Sequence, residues 1–370
     1  MNEKASNRIH QEGIGKVVGR QRVTMQDIAR AAGCSQPTVS IVLNGNDAIK
    51  ISDTTKARVL KAAEQLGYRA TGTIRPSLER TSTENLHVGG PIAFIVDNLA
   101  TSPESANAFD GIMQAVKSTG NVVLLAETQN DPVHEPKTIS YFLDQGVAAI
   151  IYACVFTRKV TVPDLLRNTE IPVFLLNCYS DDLSIPSVIP GEIAGGHTAT
   201  NALIRAGHTR IGVITGELHM ECASGRLQGY RNALANADLP FAEELVVHGD
   251  WLPSSGYRGT QQLLSLSNPP TAIFCQNDRM AIGCYEALKE NGLSIAKDMS
   301  VIGFDDDEVA RHLSPPLTSL NLGSRAMGRW VIEQLFHGPV GQNQRHPLTK
   351  LECELVERDS IGPPKKNNNY

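Results

Sequence analysis

Long apolar runs are missing from this sequence. None approaches the ~18–20 consecutive apolar residues that span a bilayer, and the opening "MNEKASNRIHQEGIGKVVGRQR" is polar and basic, without the apolar segment of a secretory signal. A cytoplasmic protein with no membrane partner is expected. The seven cysteines (Cys34, Cys154, Cys178, Cys222, Cys275, Cys284, Cys353) are odd in number, and no two lie closer than nine residues. That spacing excludes a dense disulfide framework and a Cys-x-x-Cys metal knuckle, leaving free thiols in a reducing compartment.

Catalytic signatures are missing too. No GxSxG, HExxH or Walker loop is present. "GIGKVVG", from Gly13 to Gly19, looks like a dinucleotide loop, but its third Gly falls one position late and no strand precedes it. "DDDE", Asp305 to Glu308, lacks the alternating spacing of a cation loop and is read as a solvated cap. Catalytic residues, a cofactor and a metal are therefore not expected.

What is present divides the 370 residues by charge. Residues 1–69 carry eleven Lys and Arg against six acids, about +5 in a chain whose net charge is −5, which leaves the remainder near −10. A basic head on an acidic body suits a polyanion at one end only. The hydrophobic content of 41 % is enough to fill two or three cores in a chain of this length.

The head reads as three helices. Thr24 and Asp27 have the spacing of a capping box, Ile28 and Ala32 share a face, and Gly33 stops the first helix. Ser35 caps a second helix through Asn44, with Pro37 tolerated in its first turn and Val39, Val42 and Leu43 forming the stripe. A third begins at Ser52 and runs through Val59, Leu60, Ala63 and Leu66 to Gly67. Two short helices cross tightly when the crossing residue is small, the turn takes positive φ and an apolar side chain fills the angle. Ala29, Gly33 and Val39 supply these, which predicts a helix-turn-helix motif over residues 23–69, preceded by a basic arm at 1–22.

Residues 70–90 are rich in Gly, Ser, Thr and charge and read as a linker. From Pro91, "PIAFIV", "NVVLLAE", "VAAIIYA", "IPVFLL", "RIGVIT", "AIFCQ" and "SVIGFD" alternate with amphipathic helical segments. That alternation predicts parallel sheets covered by helices on both faces, and residues 91–360 suit two lobes better than one sheet. Ligands of such sheets sit at the carboxyl ends of strands, which nominates Asp97, Asn98, Asn177, Asn277 and Asp278. The tail 361–370, "GPPKKNNNY" in the main, is disordered in composition, and no heptads precede it.

The stretches "VTMQDIARAAGCSQPTVSIVLNG" and "ISDTTKARVLKAAEQLGY" resemble the N-terminal domain of the lactose-repressor (LacI/GalR) family of bacterial transcription regulators. "GHTRIGVITG", "SGRLQGYRNAL", "GDW", "CQNDRMAIGCYEAL", "SVIGFDD", "PPLTSL" and "LVERDS" look like landmarks of the same family's two-lobed, periplasmic-binding-protein-like body. The resemblance implies a homodimeric DNA-binding regulator whose pseudo-palindromic operator is gripped under control of a sugar or polyol effector.

Matched by position, Gln36, Pro37 and Ile41 face base edges, while Thr24, Ser35, Thr38, Ser40 and Asn44 hold phosphates. Ile41 stands where the family usually has Arg, so it offers a thymine methyl an apolar contact and guanine nothing. In the linker, Ala70-Thr71 replaces the usual Pro-Asn pair. Pro76 either starts a short helix with Leu78 as a minor-groove wedge or lies in an unstructured tether. Within the body, Arg226 matches the family's hydroxyl-binding Arg, Trp251 the indole under the sugar ring, and Asp278 the hydroxyl-accepting acid. The alternatives for these three are a salt bridge between lobes, lobe core and a helix cap. Asn177 replaces an acid found in some members. A solute-binding or sugar-processing protein without a DNA role is the rival reading.

Overall fold

The computed structural model describes residues 24–43, 51–66, 90–100, 103–181, 183–337 and 345–365. The basic arm, Asn44, Leu78 with most of the linker, and the last five residues lie outside them. The chain divides into two compact units, residues 1–83 and 84–370.

The first unit holds α1 (Met25–Ala32), α2 (Gln36–Leu43) and α3 (Asp53–Gln65). Thr24 and Asp27 form a reciprocal capping box, with Thr24 N donating to Asp27 Oδ2 at 2.9 Å and Asp27 N to Thr24 Oγ1 at 3.4 Å. Gly33 ends α1 at φ 62°, ψ 45°, the left-handed conformation that a side chain would disfavour. Thr38 N donates to Ser35 Oγ at 3.3 Å at the start of α2, and Thr55 N to Ser52 Oγ at 3.4 Å before α3.

Ile28, Ala29, Ala32, Val39, Leu43, Val59, Ala62 and Ala63 close the core. Ile28 and Val39 are fully buried, each contributing about 1.5–3 kcal/mol. Leu60 of α3 and Leu66 just after it are exposed by 52 % and 38 %. The inward face of α3 runs through Val59, Ala62 and Ala63, and residue 60 is turned about 100° from it.

The second unit has two lobes. In chain order it contains β1 (Ile92–Val96), α4 (Glu104–Val116), β2 (Val123–Glu127), α5 (His134–Asp144), β3 (Ala149–Lys159), α6 (Asp164–Arg167), β4 (Val173–Tyr179) and β5 (Ser187–Pro190). Next come α7 (Glu192–Arg205), β6 (Ile211–Thr215), α8 (Glu221–Asn236), β7 (Val246–His248), α9 (Pro253–Leu264), β8 (Ala272–Cys275), α10 (Asp278–Glu290) and β9 (Ser300–Ile302). Last are β10 (Ser319–Asn321), α11 (Ser324–His337), β11 (Thr349–Leu351) and β12 (Glu354–Val356).

Lobe one is a parallel sheet in the order β11-β5-β4-β3-β1-β2, and lobe two a parallel sheet in the order β7-β6-β8-β9. All seven strands expected from the apolar runs are present. Each sheet is packed on both faces, in lobe one by clusters around Phe94 and Ile112 on one side and Ile95 and Ile139 on the other. This is why the strands read as unbroken apolar runs.

The short strands β5, β7, β10, β11 and β12 are not among those expected from the apolar runs. β10 and β12 pair antiparallel beside lobe two, whereas α11 packs on α4 and β11 joins the sheet of lobe one. The chain therefore passes between the lobes three times, after β5, after β10 and after β11. These crossings bring the carboxyl ends of both sheets to face one cleft.

Candidate functional site

In the head, Gln36 and Pro37 lie exposed on the first turn of α2, with Thr38, Ser40 and Ile41 partly exposed beyond them. Thr24 and Ser35 are exposed at the amino ends of α1 and α2, where their hydroxyls cap the helices. On α2, Val39 and Leu43 turn into the core, which leaves Gln36, Thr38, Ser40 and Ile41 at least partly exposed.

In the body, the cleft encloses a cavity of about 40 Å³ between the carboxyl ends of the two sheets. Its centre is Arg226, on α8 and 3 % exposed. Arg226 Nε donates to Glu192 Oε2 at 2.6 Å, Nη1 lies 3.3 Å from Asp305 Oδ1, and Nη1 also donates to the Gln276 carbonyl. The guanidinium stands 3.7 Å above the centre of the Phe304 ring. Burial pulls the Arg226 pKa down, but Glu192 and Asp305 more than offset it, and the group stays firmly cationic.

Glu192 opens α7 at the first crossing between lobes, and its Oε1 lies 2.9 Å from the Thr157 hydroxyl of lobe one. Thr157 also stands 2.7 Å from Asn177 Oδ1. The Asn177 amide nitrogen donates to the carbonyls of Cys154 and Val155, both at 3.0 Å. Asn177 sits at φ 56°, a conformation Asn tolerates better than most residues. It lines the cavity, yet its amide is spent on holding the irregular end of β3.

Trp251 is 7 % exposed and forms another wall. Its ring lies over that of Phe156 from lobe one, with centroids 5.8 Å apart and planes inclined by 26°, and its Nε1 donates to Met220 Sδ at 3.3 Å. Gly216 makes room for it, because a Cβ there would fall 2.0 Å from Trp251 Cζ2. Asn277 caps α10 by accepting from Met280 N at 2.8 Å and holds the Trp251 turn by donating to the Trp251 carbonyl at 3.1 Å.

Three nominated residues do not line the cavity. Asp97 is 3 % exposed and engaged: it accepts from Val155 N at 2.8 Å and pairs with Arg158 at 3.0 Å. Asn98 turns back on its own loop, its Oδ1 accepting from Ala100 N at 3.0 Å. Asp278 is fully buried, accepting from Ser319 Oγ at 2.6 Å and Asp307 N at 2.8 Å. It neither faces the cavity nor caps α10, a position held by Asn277. Its carboxylate instead fixes the backbone of Asp307, which does line the cavity.

The cavity also takes Glu104, Phe156, Thr157, Glu192, Cys222, Arg279, Asp305 and Asp307, none of them nominated from sequence. For Asp305 and Asp307 a signal existed, since they follow the β9 run "SVIGF" as Asn277 follows "AIFCQ". Their reading as a solvated cap is corrected: Asp305 is partly buried and Asp307 buried, because the loop turns in under Leu320 and Ser319 rather than out to solvent. Burial raises the pKa of Asp305 and Asp307, and it lifts that of Glu104 to about 7. Among the described residues no group of acids, His or Cys is placed to hold a metal ion, and no helix is long and apolar enough to cross a membrane.

A two-lobed binding body joined to a helix-turn-helix head defines a class of protein, the ligand-responsive DNA-binding regulator. Comparison with known proteins gives the family. Residues 24–70 match the model of bacterial regulatory proteins of the lacI family, and residues 200–361 match a periplasmic binding protein-like domain. The chain is 32 % identical over 338 residues to the ribose operon repressor of Haemophilus influenzae, covering 91 % of this chain and 98 % of that protein. It is 31 % identical over 341 residues to the HTH-type transcriptional repressor PurR of Actinobacillus pleuropneumoniae serotype 3, with the same coverages.

Among solved structures it resembles the lac repressor dimer bound to operator and the anti-inducer ONPF, with TM-score 0.63, 28 % identity, and 92 % of this chain and 100 % of that one covered. It also resembles the complex of the transcriptional regulator CelR with cellobiose, at TM-score 0.61 and the same identity and coverages. The chain belongs to the lacI family and is a DNA-binding transcriptional regulator.

Proposed function

We propose that this regulator acts as a homodimeric repressor whose grip on a pseudo-palindromic operator is set by a sugar or polyol bound between the lobes, in the cytoplasm and without catalysis. The observation that carries the reading is the pairing of Arg226 with Trp251 in one cleft walled by both lobes. A hydroxylated ring presents hydroxyl edges to guanidinium and carboxylate and a C–H face to an indole. Relatives named for ribose and a neighbour holding cellobiose support the sugar class. In the head, Gln36, Pro37 and Ile41 meet bases, and Thr24, Ser35, Thr38 and Ser40 meet phosphates. Asn44 and Leu78 complete the proposed contacts.

The lobes stand closed on themselves. A cavity of about 40 Å³ holds only a few waters, whereas a cavity that takes up a benzene ring measures ~150 Å³. Effector entry therefore requires Trp251 and Phe156 to part, and with them the bridge in which Glu221 of α8 accepts from Lys159 N at 2.8 Å and Tyr179 OH at 2.7 Å. A ligand that favours the parted lobes shifts the population by its difference in affinity for the two forms. The experiment is a thermal-shift screen against sugars, polyols, sugar acids and nucleosides, followed by gel shift of operator DNA with each hit. A ligand at 100 times its Kd raises stability by about 2.7 kcal/mol. Hits that leave the gel shift unchanged refute control by the cleft.

A further inference from the structure

The charge of the cleft is not what a neutral sugar requires. Four carboxylates line the cavity, Glu104, Glu192, Asp305 and Asp307, against two guanidiniums, Arg226 and Arg279. Arg226 is already committed, to Glu192, Asp305 and a carbonyl. Asp307 disfavours the ionisation of Glu104 and of Asp305, Glu104 disfavours that of Asp305, and Arg279 favours that of Asp307 without undoing the effect of its burial. The acids come from opposite lobes, Glu104 from α4 and the two aspartates from the loop after β9. A second observation points into this corner. Asp307 is only 8 % exposed, lines the cavity, and among the described residues its Oδ1 has no hydrogen-bond partner.

A hydroxyl can satisfy an acceptor, but it brings no charge to offset the mutual repulsion of carboxylates in a medium of low dielectric. A metal ion is not what the acids are arranged for, since no three of them among the described residues are grouped to hold one. An alkylammonium brings a full positive charge and three diverging donors, which suit carboxylates spread over two lobes.

We propose that the effector is an amino sugar or aminopolyol whose protonated amine sits at the corner formed by Glu104 and Asp307, with its hydroxylated body against Trp251. This rests on the reading of the cleft as a sugar or polyol site. The amine joins α4 of lobe one to the β9 loop of lobe two, so the charged group itself would set how far the lobes close.

The test is calorimetric titration of the full chain with matched probes: glucamine against sorbitol, and glucosamine and galactosamine against their neutral parents and their N-acetyl derivatives. The expected result is that at least one amine binds roughly tenfold or more tighter than its neutral and N-acetylated partners. Asp307→Asn and, separately, Glu104→Gln should bring that ratio towards one, whatever each does to the neutral partner's own affinity. A ratio comes from one folded protein at a time, so loss of stability in a variant does not imitate the effect, and either variant alone suffices. Neutral probes binding as well as the amines, or an amine preference that survives both variants, overturns the inference and leaves the cleft a sugar site. No binding by any probe, in a chain that melts cooperatively and still shifts DNA, overturns the sugar reading and this inference together.

Discussion

Trp251 of lobe two lies on Phe156 of lobe one with ring centroids 5.8 Å apart, so the indole that should meet a ligand now closes the cleft on a neighbour. Such a stack stabilises by about 0.5–1.5 kcal/mol beyond its buried area, and an effector must replace it. Trp251→Ala is expected to weaken effector binding by roughly 1–3 kcal/mol in calorimetry, less than the loss of an indole contact alone because the stack no longer opposes entry. Operator binding without effector should survive. Effector affinity equal to that of the parent chain would make Trp251 merely lobe core.

Gly216 gives a sharper version of the same question. A Cβ at this position would lie 2.0 Å from Trp251 Cζ2 and 2.2 Å from Trp251 Cε2, so Gly216→Ala must move the indole. Tryptophan fluorescence should shift as the ring gains exposure, and effector affinity should fall with it. An unchanged emission spectrum would show that the ring had not been held there.

Glu104 sets a pH dependence. Its carboxyl is raised from 4.5 to about 7 by burial, with its bond from Ser324 opposing the rise. The folded state therefore holds this proton more tightly than the unfolded chain does. Its stabilising effect is complete below about 4.5 and is lost as pH rises through about 7. Each tenfold difference in proton affinity between the folded and unfolded chain is worth about 1.4 kcal/mol. Glu104→Gln should remove that part of the decline and melt above the parent chain at pH 8. Melting curves measured from pH 4.5 to pH 8 decide this, and parallel profiles for the two proteins would remove Glu104 as its source.

The two units have separate cores, which Ala29→Glu tests. Ala29 is 6 % exposed where α1 crosses α2, and a charge buried there without a partner costs several kcal/mol. Gel shift should be lost and effector affinity kept. Joint loss of both would mean that the head and body fold as one.

Ile41 lies partly exposed on α2, where it offers an apolar contact and no donor. Ile41→Arg should move the preferred base at one symmetric pair of operator positions toward guanine, with a discrimination of about 1–3 kcal/mol, while half-site spacing stays fixed. Selection from random DNA checks it. An unaltered base profile would take this face of α2 out of the major groove.

Local chemistry was legible wherever a signal sits within a few residues. Thr24 with Asp27, Gly33 and Ser35 marked the ends of the first two helices, and the unbroken apolar runs marked the central strands because both sheet faces are covered. The rule that ligands gather after strands brought Asn177 and Asn277 to the cleft, although their amides prove to be committed to the protein's own backbone. Applied at the end of β9 the same rule would have found Asp305 and Asp307, but a run of acids reads as solvated when its fold is not known.

The sequence by itself determined the helix-turn-helix head and the alternation that makes parallel sheets, since both follow from spacing along the chain, whereas Arg226 and Trp251 were pointed to the cleft by the resemblance of "SGRLQGYRNAL" and "GDW" to the family's landmarks. Only the tertiary structure decided that Asp97 and Asp278 turn away from the cavity, that Glu104 and Glu192 turn into it, and that Phe156 meets Trp251. Those outcomes depend on three passages between the lobes that set residues from 104 to 307 side by side. A buried carboxylate takes whichever donors that packing brings within reach: Arg158 and Val155 N for Asp97, Ser319 and Asp307 N for Asp278.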